Sequence, residues 1–318
     1  MKRLLALTYG DELLLYSFPG GHPMSRRRVE SFYKRFLESF PTQLLDNIEV
    51  IAPVRAVDEE VALFHDENYI EYVKKMSEIG RGYLDYGDTP AFRGCYDASL
   101  YVVGTSLKLA KSIIAGEYLR GFNPMGGLHH AMRERASGFC IFNDAGVVIE
   151  YVLNVIQGSN VVYVDIDAHH GDGVYYEFED NPRVIFADIH QDGRTLYPGT
   201  GFEHERGKGA AVGTKLNIPL PPGAGDEEFK RAVDRVIEFL REREFYIILI
   251  QAGADGLAGD PITALEYSEL AHRYAVTELK KLANERCEGR MLAMGGGGYN
   301  VDNITRAWME VVRVMAER

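Results

Sequence analysis

The sequence lacks the long apolar segments that mark membrane-spanning and secreted proteins. No apolar run reaches the roughly 18 residues that a transmembrane helix requires. The first fifteen residues form a poor signal peptide because Thr8, Asp11 and Glu12 interrupt their apolar stretch. We therefore expect a cytoplasmic protein that makes no contact with a membrane.

Cysteine and positive charge are also scarce. The three cysteines, Cys95, Cys140 and Cys287, are too few and too widely separated for a disulfide framework or a thiolate zinc site, and we expect them to be reduced and mostly buried. The net charge of -12 argues against a nucleic-acid-binding surface, which requires a basic face. This charge is compatible with cationic substrates such as lysine tails or polyamines, although acidic surfaces more often serve solubility.

Apolar segments of strand length recur along the chain and alternate with amphipathic helical patterns. Hydrophobic residues make up 46% of the sequence and charged residues 26%, as in ordinary globular proteins. There is no internal repeat, low-complexity tract or linker-like stretch, so we interpret residues 1–318 as one domain. The predicted strands are Arg3–Tyr9, Ile48–Ala52, Tyr118–Phe122, Val161–Asp167, Val184–Ile189, Lys215–Pro219, Tyr246–Gln251 and Met291–Met294.

Between these strands lie segments with helical periodicity. Apolar residues at three- and four-residue spacing form one face of a predicted helix in which Asp226 is the expected N-cap. These residues are Phe229, Val233, Val236, Ile237 and Leu240. Residues 270–282 show a second such pattern. Strands that are almost continuously apolar and alternate with helices indicate a parallel sheet covered by helices on both faces.

In such folds the functional residues gather at the carboxyl ends of the strands. Two adjacent histidines, His129 and His130, follow a Gly-Gly turn after the strand Tyr118–Phe122. A single histidine is usually a packed or surface residue, but a pair on a glycine loop after a strand is unusual. Both are therefore candidates for catalysis.

The segment from Asp165 to Asp172 gives the strongest indication of chemistry. Residues two apart in an extended segment point the same way, so Asp167 and His169 can converge on one metal ion. Asp165 and Asp172 are then candidates for the carboxylates that commonly lie behind working histidines. A solvated acidic loop is the alternative, but so many ionisable groups at the end of an apolar strand are costly without a function.

Two further strand ends supply an aspartate and a tyrosine. Asp255 follows the strand Tyr246–Gln251 and would complete a set of two carboxylates and one imidazole, leaving a position open for water at a catalytic zinc or other divalent metal site. Four glycines precede Tyr299 after the strand Met291–Met294. A glycine run is often only a flexible loop, but a tyrosine at its end can direct a phenol at a substrate carbonyl.

Six motifs together resemble the arginase–deacetylase superfamily, and specifically the histone deacetylases with their prokaryotic relatives, the acetoin-utilisation proteins and acetylpolyamine amidohydrolases. The motifs occur in the family's order and cover nearly the whole chain. The resemblance implies one open α/β domain, the arginase–deacetylase fold, with an eight-stranded, mostly parallel sheet flanked by helices. The motifs are GGLHHA (126–131), SGFCIFND (137–144), YVDIDAHHGDGV (163–174), LYPGTG (196–201), AGADGLAGD (252–260) and GGGGYN (295–300).

The resemblance implies a metal-dependent deacetylase and assigns roles to these residues. It makes Asp167, His169 and Asp255 the ligands of Zn²⁺, or of Fe²⁺, in agreement with the pattern above. It makes His130 the main general base and acid and His129 chiefly an electrostatic partner. The carboxylates behind His129 and His130 are Asp165 and Asp172, and the group that polarises the substrate carbonyl is Tyr299.

A substrate tunnel, an acetate-exit channel containing Arg28 and a site for K⁺ or Na⁺ are implied as well. The substrate-binding positions are Gly138, Phe139 and Tyr197 in the tunnel wall, the main-chain carbonyl of Gly297 at its foot, and Asp88 at its rim. The monovalent-cation positions are Asp165, Asp167, His169, Asp188 and Ile189. Two residues depart from the family pattern. Tyr197 replaces a frequent phenylalanine, and Asp188 replaces a frequent serine, which would either strengthen cation binding or alter it.

Two alternatives of other classes are disfavoured. A binuclear manganese ureohydrolase of the arginase type needs further carboxylates to bridge a second metal ion, but Gly171 and Leu257 stand at those positions. A non-catalytic acyl-lysine-binding protein on this fold would usually have lost a metal ligand or the tyrosine.

The predicted substrate is an acylated lysine peptide, and an acetylpolyamine or small acyl-amine is the alternative. The histidines outside the motifs, among them His22 and His65, are expected to be structural.

Overall fold

Eight parallel strands form the centre of this computed structural model, which describes residues 4–318. The strand order is β2-β1-β3-β8-β7-β4-β5-β6, and each neighbouring pair is parallel. The predicted parallel sheet is therefore confirmed. The strands are β1 (Leu5–Thr8), β2 (Ile48–Ile51), β3 (Arg120–Asn123), β4 (Val161–Asp165), β5 (Val184–Gln191), β6 (Lys215–Leu220), β7 (Ile247–Gln251) and β8 (Met291–Met294).

Ten α-helices occur within the described residues and pack around the sheet. None of them combines the length and the apolar character that crossing a bilayer demands. The helices are α1 (Arg27–Ser39), α2 (Thr42–Leu45), α3 (Asp58–Val61), α4 (Glu67–Ile79), α5 (Cys95–Ile114), α6 (Asp144–Val155), α7 (Asp172–Glu177), α8 (Asp226–Arg241), α9 (Glu269–Arg286) and α10 (Val301–Ala316).

Helix boundaries follow local capping chemistry. The side chains of Asn143, Ser268 and Asn300 accept hydrogen bonds from the first backbone N–H groups of α6, α9 and α10. The prediction that Asp226 caps α8 is wrong by one residue, because Gly225 is the N-cap. The Asp226 carboxylate instead accepts hydrogen bonds from the backbone N–H and the hydroxyl of Ser268, which join the starts of α8 and α9.

The observed strand bounds differ from the predicted ones at the strand that leads into the predicted metal site. Arg3, the first residue of the first predicted strand, lies outside the described residues. The predicted strand Val161–Asp167 ends at Asp165, and the chain bends through Asp167 to His169. The two side chains therefore come together through this bend, whereas the prediction relied on the alternation of an extended strand.

The four motif-bearing loops come from four strands that are neighbours in the sheet, β3, β8, β7 and β4. The register places their ends in one row, since Asn123 pairs with Met294 and Gln251 pairs with both Met294 and Asp165. All four loops therefore emerge at the same edge of the sheet, side by side. The topology alone brings residues more than a hundred positions apart into one site.

The C-terminal helix closes the core beside this row. Trp308 on α10 is fully buried and meets Phe32 and Phe122 edge-on, with ring centroids 5.6 Å and 6.0 Å away. Its indole N–H lies 3.1 Å from the carbonyl oxygens of Ala252 and Gly295. Trp308 is thus a core residue, and it also supports two loops that lead into the site. The three cysteines are free and buried.

Candidate active site

Two aspartates and a histidine converge at the ends of β4 and β7. One ligand atom from each of Asp167, His169 and Asp255 lies within 4.8 Å of the other two, and all three residues are buried. His169 Nδ1 is 2.9 Å from Asp255 Oδ2 and 3.1 Å from Asp167 Oδ1. Oxygen and nitrogen donors in this number match an open catalytic site for a divalent transition metal.

The surroundings of this triad fit a small cation. A Cβ atom at Gly297 would lie 2.4 Å from Asp255 Oδ2 and 2.7 Å from Asp167 Oδ2, so only glycine leaves this space free. Burial and the charge of Asp167 raise the pKa of Asp255 to about 7, which a bound cation would reverse. The residues present therefore suit the metal that the sequence predicts.

Backbone and amide groups orient the two carboxylates. Asp167 Oδ2 accepts hydrogen bonds of 2.7 Å from the Gly297 N–H and from the side-chain amide of Gln251. Asp255 Oδ1 accepts one of 2.8 Å from the Ala168 N–H. Each carboxylate is thus held on one side and keeps its other oxygen facing His169. The local sequence does not reveal Gln251, because it is the last residue of an apolar strand.

The histidine pair lies beside the triad, with a carboxylate behind each ring. His129 Nδ1 is 2.8 Å from Asp165 Oδ2, and His130 Nδ1 is 2.6 Å from Asp172 Oδ1. The two Nε2 atoms are 3.1 Å apart. When each Nδ1–H donates to its carboxylate, both Nε2 atoms are left to accept a proton in the site. Burial, followed by the charge of His129, lowers the pKa of His130 to about 4.

A buried carboxylate fixes the loop that carries the histidine pair. Asp144, the first residue of α6, accepts hydrogen bonds from the backbone N–H groups of Gly127 and Leu128. A Cβ atom at Gly126 would lie 2.5 Å from Asp144 Oδ2, so the loop requires glycine there. Asp144 was contained in a predicted motif, but the sequence did not indicate this role.

Tyr299 faces the same centre from the loop after β8. It lines both the small cavity at the metal triad and the tunnel above it. Its backbone N–H donates a 2.8 Å hydrogen bond to Asp260 Oδ2, another contact that the sequence did not reveal. Burial raises the pKa of Tyr299 well above its usual value, so the phenol keeps its proton.

Arg28 is buried behind Tyr299 and the glycine loop. Its Nε–H donates a 2.8 Å hydrogen bond to the Gly298 carbonyl, and Nη2 donates to the Gly296 carbonyl. The guanidinium carbon lies 5.9 Å from the centre of the Tyr299 ring. The predicted exit-channel residue is not among the residues that line the tunnel.

The predicted tunnel residues line one cavity of about 210 Å³ that reaches the triad. Gly138, Phe139, Tyr197 and Asp88 line it together with His130, His169 and Tyr299. Gly297 does not line this tunnel but borders the smaller cavity at its foot. Its carbonyl oxygen accepts a 3.0 Å hydrogen bond from the Ala254 N–H.

Phe139 holds an unusual backbone conformation, with a φ of 67°. Left-handed φ values are uncommon for bulky residues and require support from the surroundings. The buried Tyr16 gives that support, because its hydroxyl donates to the Phe139 carbonyl and accepts from the Ile141 N–H. His22, predicted to be merely structural, packs edge-on against Phe139 at the tunnel. Tyr16 and His22 are distant in sequence from every motif, which is why they were missed.

Three of the predicted monovalent-cation residues, Asp165, Asp188 and Ile189, lie on β4 and β5, whereas Asp167 and His169 belong to the metal triad. Asp165 and Asp188 are register partners on β4 and β5, both fully buried, and Ile189 follows on β5. Asp188 Oδ2 accepts a 2.8 Å hydrogen bond from the Gly171 N–H, and its Oδ1 is 2.6 Å from His190 Nδ1. His190 therefore supports Asp188 and does not face the tunnel.

Comparison with known proteins gives the same class as this geometry. The family profile described as "Histone deacetylase domain" matches residues 22–315. The chain is 37% identical over 314 residues to the acetoin utilization protein AcuC of Bacillus subtilis (strain 168), covering 95% of this chain and 80% of that protein. It is 33% identical over 324 residues to the AcuC protein of Staphylococcus xylosus, covering 98% and 82%.

Solved structures of the same fold cover almost the whole of this chain. The crystal structure of the HDA15 HD domain superimposes with a TM-score of 0.88 at 26% identity, covering 99% of this chain and 90% of that chain. The crystal structure of an HDAC homolog complexed with SAHA gives a TM-score of 0.85 at 29% identity, covering 100% and 85%.

These findings establish first the class of protein and then the family to which the chain belongs. The protein is an open α/β hydrolase with a candidate metal centre at the carboxyl ends of its parallel strands. It belongs to the histone deacetylase family and is a hydrolytic deacetylase. The predictions of fold and family are both confirmed.

Proposed function

We propose that residues 1–318 form a catalytic domain that hydrolyses the amide of an acylated lysine peptide with the help of one divalent metal ion. One observation carries this proposal. His169 of the metal triad, His130 of the histidine pair and Tyr299 line one tunnel of about 210 Å³, so a substrate amide in this tunnel would lie beside all three groups.

Asp167, His169 and Asp255 would hold the metal, and Zn²⁺ is the best match for two carboxylates with one imidazole, with Fe²⁺ as the alternative. A bound metal ion of this kind polarises a carbonyl and lowers the pKa of water. A K⁺ or Na⁺ ion would be held beside it by Asp165, Asp167, His169, Asp188 and Ile189, as the family resemblance implies. The buried carboxylates of Asp165 and Asp188 suit a cation there.

His130 would act as the general base and acid. Its Nε2 faces the site, and Asp172 holds the proton on Nδ1, so Nε2 is free to take a proton from the attacking water. His130 would then return that proton to the leaving amine. His129, held by Asp165, would act mainly through its charge on the neighbouring ring.

Tyr299 would stabilise the negative charge that develops on the amide oxygen. Its phenol stays protonated and can donate a hydrogen bond to that oxygen. The Tyr299→Phe variant is expected to lose on the order of 10²- to 10³-fold in kcat, the usual cost of removing one such donor. A variant that keeps near-full turnover would remove Tyr299 from the mechanism.

The direct test is acetate release by zinc-loaded protein from an acetyl-lysine peptide and from an acetylated polyamine, measured side by side. Asp255→Ala serves as the blank, because it removes one metal donor. Turnover of either substrate that is absent in the blank supports the proposal, and the preferred substrate narrows it. Failure to hydrolyse either substrate would overturn the proposed substrate class. We place the reaction in the cytoplasm, without nucleic acid or membrane as a partner.

A further inference from the structure

A second cavity, the rim cavity, adjoins the mouth of the tunnel and has a volume of about 310 Å³. Asp88 and Tyr197 line both the rim cavity and the tunnel. The Tyr197 hydroxyl lies 2.5 Å from Ser137 Oγ, and Ser137 also lines the rim cavity. Because the two cavities share Asp88 and Tyr197, the outer end of a stem in the tunnel would lie beside the rim cavity.

Three charged residues, Asp85, Asp88 and Arg135, line the rim cavity, but the Asp85 carboxylate is occupied by hydrogen bonds within the protein. Asp85 Oδ1 accepts hydrogen bonds from the backbone N–H groups of Gly87, Asp88 and Thr89, and its Oδ2 accepts one from the Thr89 hydroxyl. This carboxylate therefore shapes the rim loop and has little capacity left for a ligand. Asp88 and Arg135 are therefore the charged residues of this cavity that remain available to a ligand.

Arg135 is the one cation among the residues that line the rim cavity. Its guanidinium has weak protein contacts, namely the sulfur of Met132 at 3.3 Å and the exposed carboxylate of Glu134 at 3.8 Å. The backbone around it is fixed, because Met132 and Arg135 pair in an isolated antiparallel bridge. Arg135 thus presents a guanidinium with unused donors to the cavity.

Asp88 offers the opposite charge across the same space. Burial and the neighbouring Asp85 raise the pKa of Asp88 to about 7, so a positive group or N–H donor beside it would restore its charge. One carboxylate and one guanidinium in a single cavity are complementary to an α-amino acid head, which carries a nitrogen donor and a carboxylate.

We propose that Arg135 adds a carboxylate-binding subsite to the rim position that the family resemblance assigns to Asp88, so that Arg135 binds the α-carboxylate of an acyl-lysine whose α-nitrogen lies at Asp88. This inference rests on the proposed function and narrows its substrate to an acyl-lysine with a free α-carboxylate, as a free amino acid or at a chain end. An acylated polyamine offers Asp88 a positive group but gives Arg135 no carboxylate to bind.

The test compares three substrates of zinc-loaded wild type and Arg135→Gln. The substrates are Nε-acetyl-lysine, its α-carboxamide and N-acetylputrescine. Wild type is expected to favour the carboxylate over the carboxamide in kcat/KM by roughly two- to fivefold, the scale of a partly exposed charge pair. In Arg135→Gln this ratio falls to about one, and the rate with N-acetylputrescine rises relative to the carboxylate.

Arg194→Gln is the matched control, because Arg194 is exposed, pairs with Asp192 and does not line the rim cavity. It should keep the wild-type ratio. A wild-type ratio of one, or an unchanged ratio in an active Arg135→Gln, overturns the subsite and leaves the deacetylase proposal intact. If wild type hydrolyses neither these three substrates nor an acetyl-lysine peptide, the proposed function fails. Calorimetric titration of the carboxylate and the carboxamide into wild type then decides the subsite separately, through their Kd ratio.

Discussion

At the scale of single residues, the position of the proposed base depends on a glycine. A Cβ atom at Gly138 would lie 2.4 Å from His130 Cδ2, and the φ of Gly138 is +53°. Alanine there must displace the imidazole or distort the tunnel wall. A displacement of about 1 Å in a reacting group can cost on the order of 10²-fold in rate, so we expect Gly138→Ala to lower kcat by this amount in the acetate-release assay.

Gly158→Ala separates this contact from backbone strain alone. Gly158 also has a positive φ, +79°, but its Cβ would meet no atom within 4 Å, and it precedes β4 at the opposite edge of the sheet. Both variants should lose some stability through the left-handed conformation. An equal kcat in the two variants would contradict the proposed role of the Gly138–His130 contact.

The sequence predicted the residues that carry reactive groups but missed many that hold them. Asp167 and Asp255 stand at strand ends, where topology alone makes an ionisable group conspicuous. Gln251, Asp260 and Tyr16 act through contacts that exist only after folding, and their local sequences resemble ordinary strand or loop residues. Reactive groups are recognisable by type, whereas supporting contacts depend on the tertiary structure.

At the scale of elements, the last helix is tied to the middle of the sheet by a buried arginine. Arg120 on β3 donates hydrogen bonds of 2.8 Å and 2.7 Å to the carbonyls of Met315 and Glu317 at the end of α10. These carbonyls have no further helical partner, and a cation suits the negative end of a helix. Since α10 follows Tyr299 and carries Trp308, this contact stabilises an element adjoining the site.

We therefore expect Arg120→Met to lower the free energy of unfolding by about 2 kcal/mol, the scale of lost hydrogen bonds to a charged donor. Urea denaturation followed by circular dichroism would measure this change. Arg231→Met is the control, because the exposed Arg231 on α8 pairs with Glu228 at the surface, a contact worth less than about 1 kcal/mol. Equal losses in both variants would show that the Arg120 contact contributes nothing special.

The apolar pattern predicted the existence of the strands better than the residues at which they end. The strand Met291–Met294 was predicted without error, but the strand through Asp165 was predicted two residues too long. The overrun has a physical cause, since Ile166 continues the apolar pattern while its backbone already turns toward the site. The N-cap of α8 was misplaced for a related reason, because Asp226 is a good cap by type but bonds to Ser268 instead.

At the scale of the whole molecule, a neutral histidine joins the outer helices to the active-site loops. His65, just before α4, accepts a 2.8 Å hydrogen bond at Nε2 from the Asn143 N–H, and its Nδ1 lies 3.2 Å from the Arg133 carbonyl. This arrangement requires the tautomer with hydrogen on Nδ1, and protonation of Nε2 would break the bond to Asn143. Asn143 in turn caps α6, which begins with the carboxylate that holds the histidine loop.

Burial lowers the pKa of His65 to about 3 from an unfolded value near 6.5. Between these values the unfolded chain binds the proton and the folded chain does not, so stability is full above pH 6.5 and declines as the pH falls toward 3. For this group alone the loss between pH 7 and pH 5 is about 2 kcal/mol.

His65→Gln tests this linkage, because its amide can accept from Asn143 and donate to Arg133 but cannot titrate. We expect the variant to lose about 2 kcal/mol less stability than wild type between pH 7 and pH 5. Urea unfolding followed by the fluorescence of Trp308, the sole tryptophan, reports the global transition in both proteins. Other titrating groups act in both proteins and cancel in the difference. Equal pH dependence would mean that His65 has the same pKa in the folded and unfolded chains, and that its bond to Asn143 does not tie the helix layer to the active site.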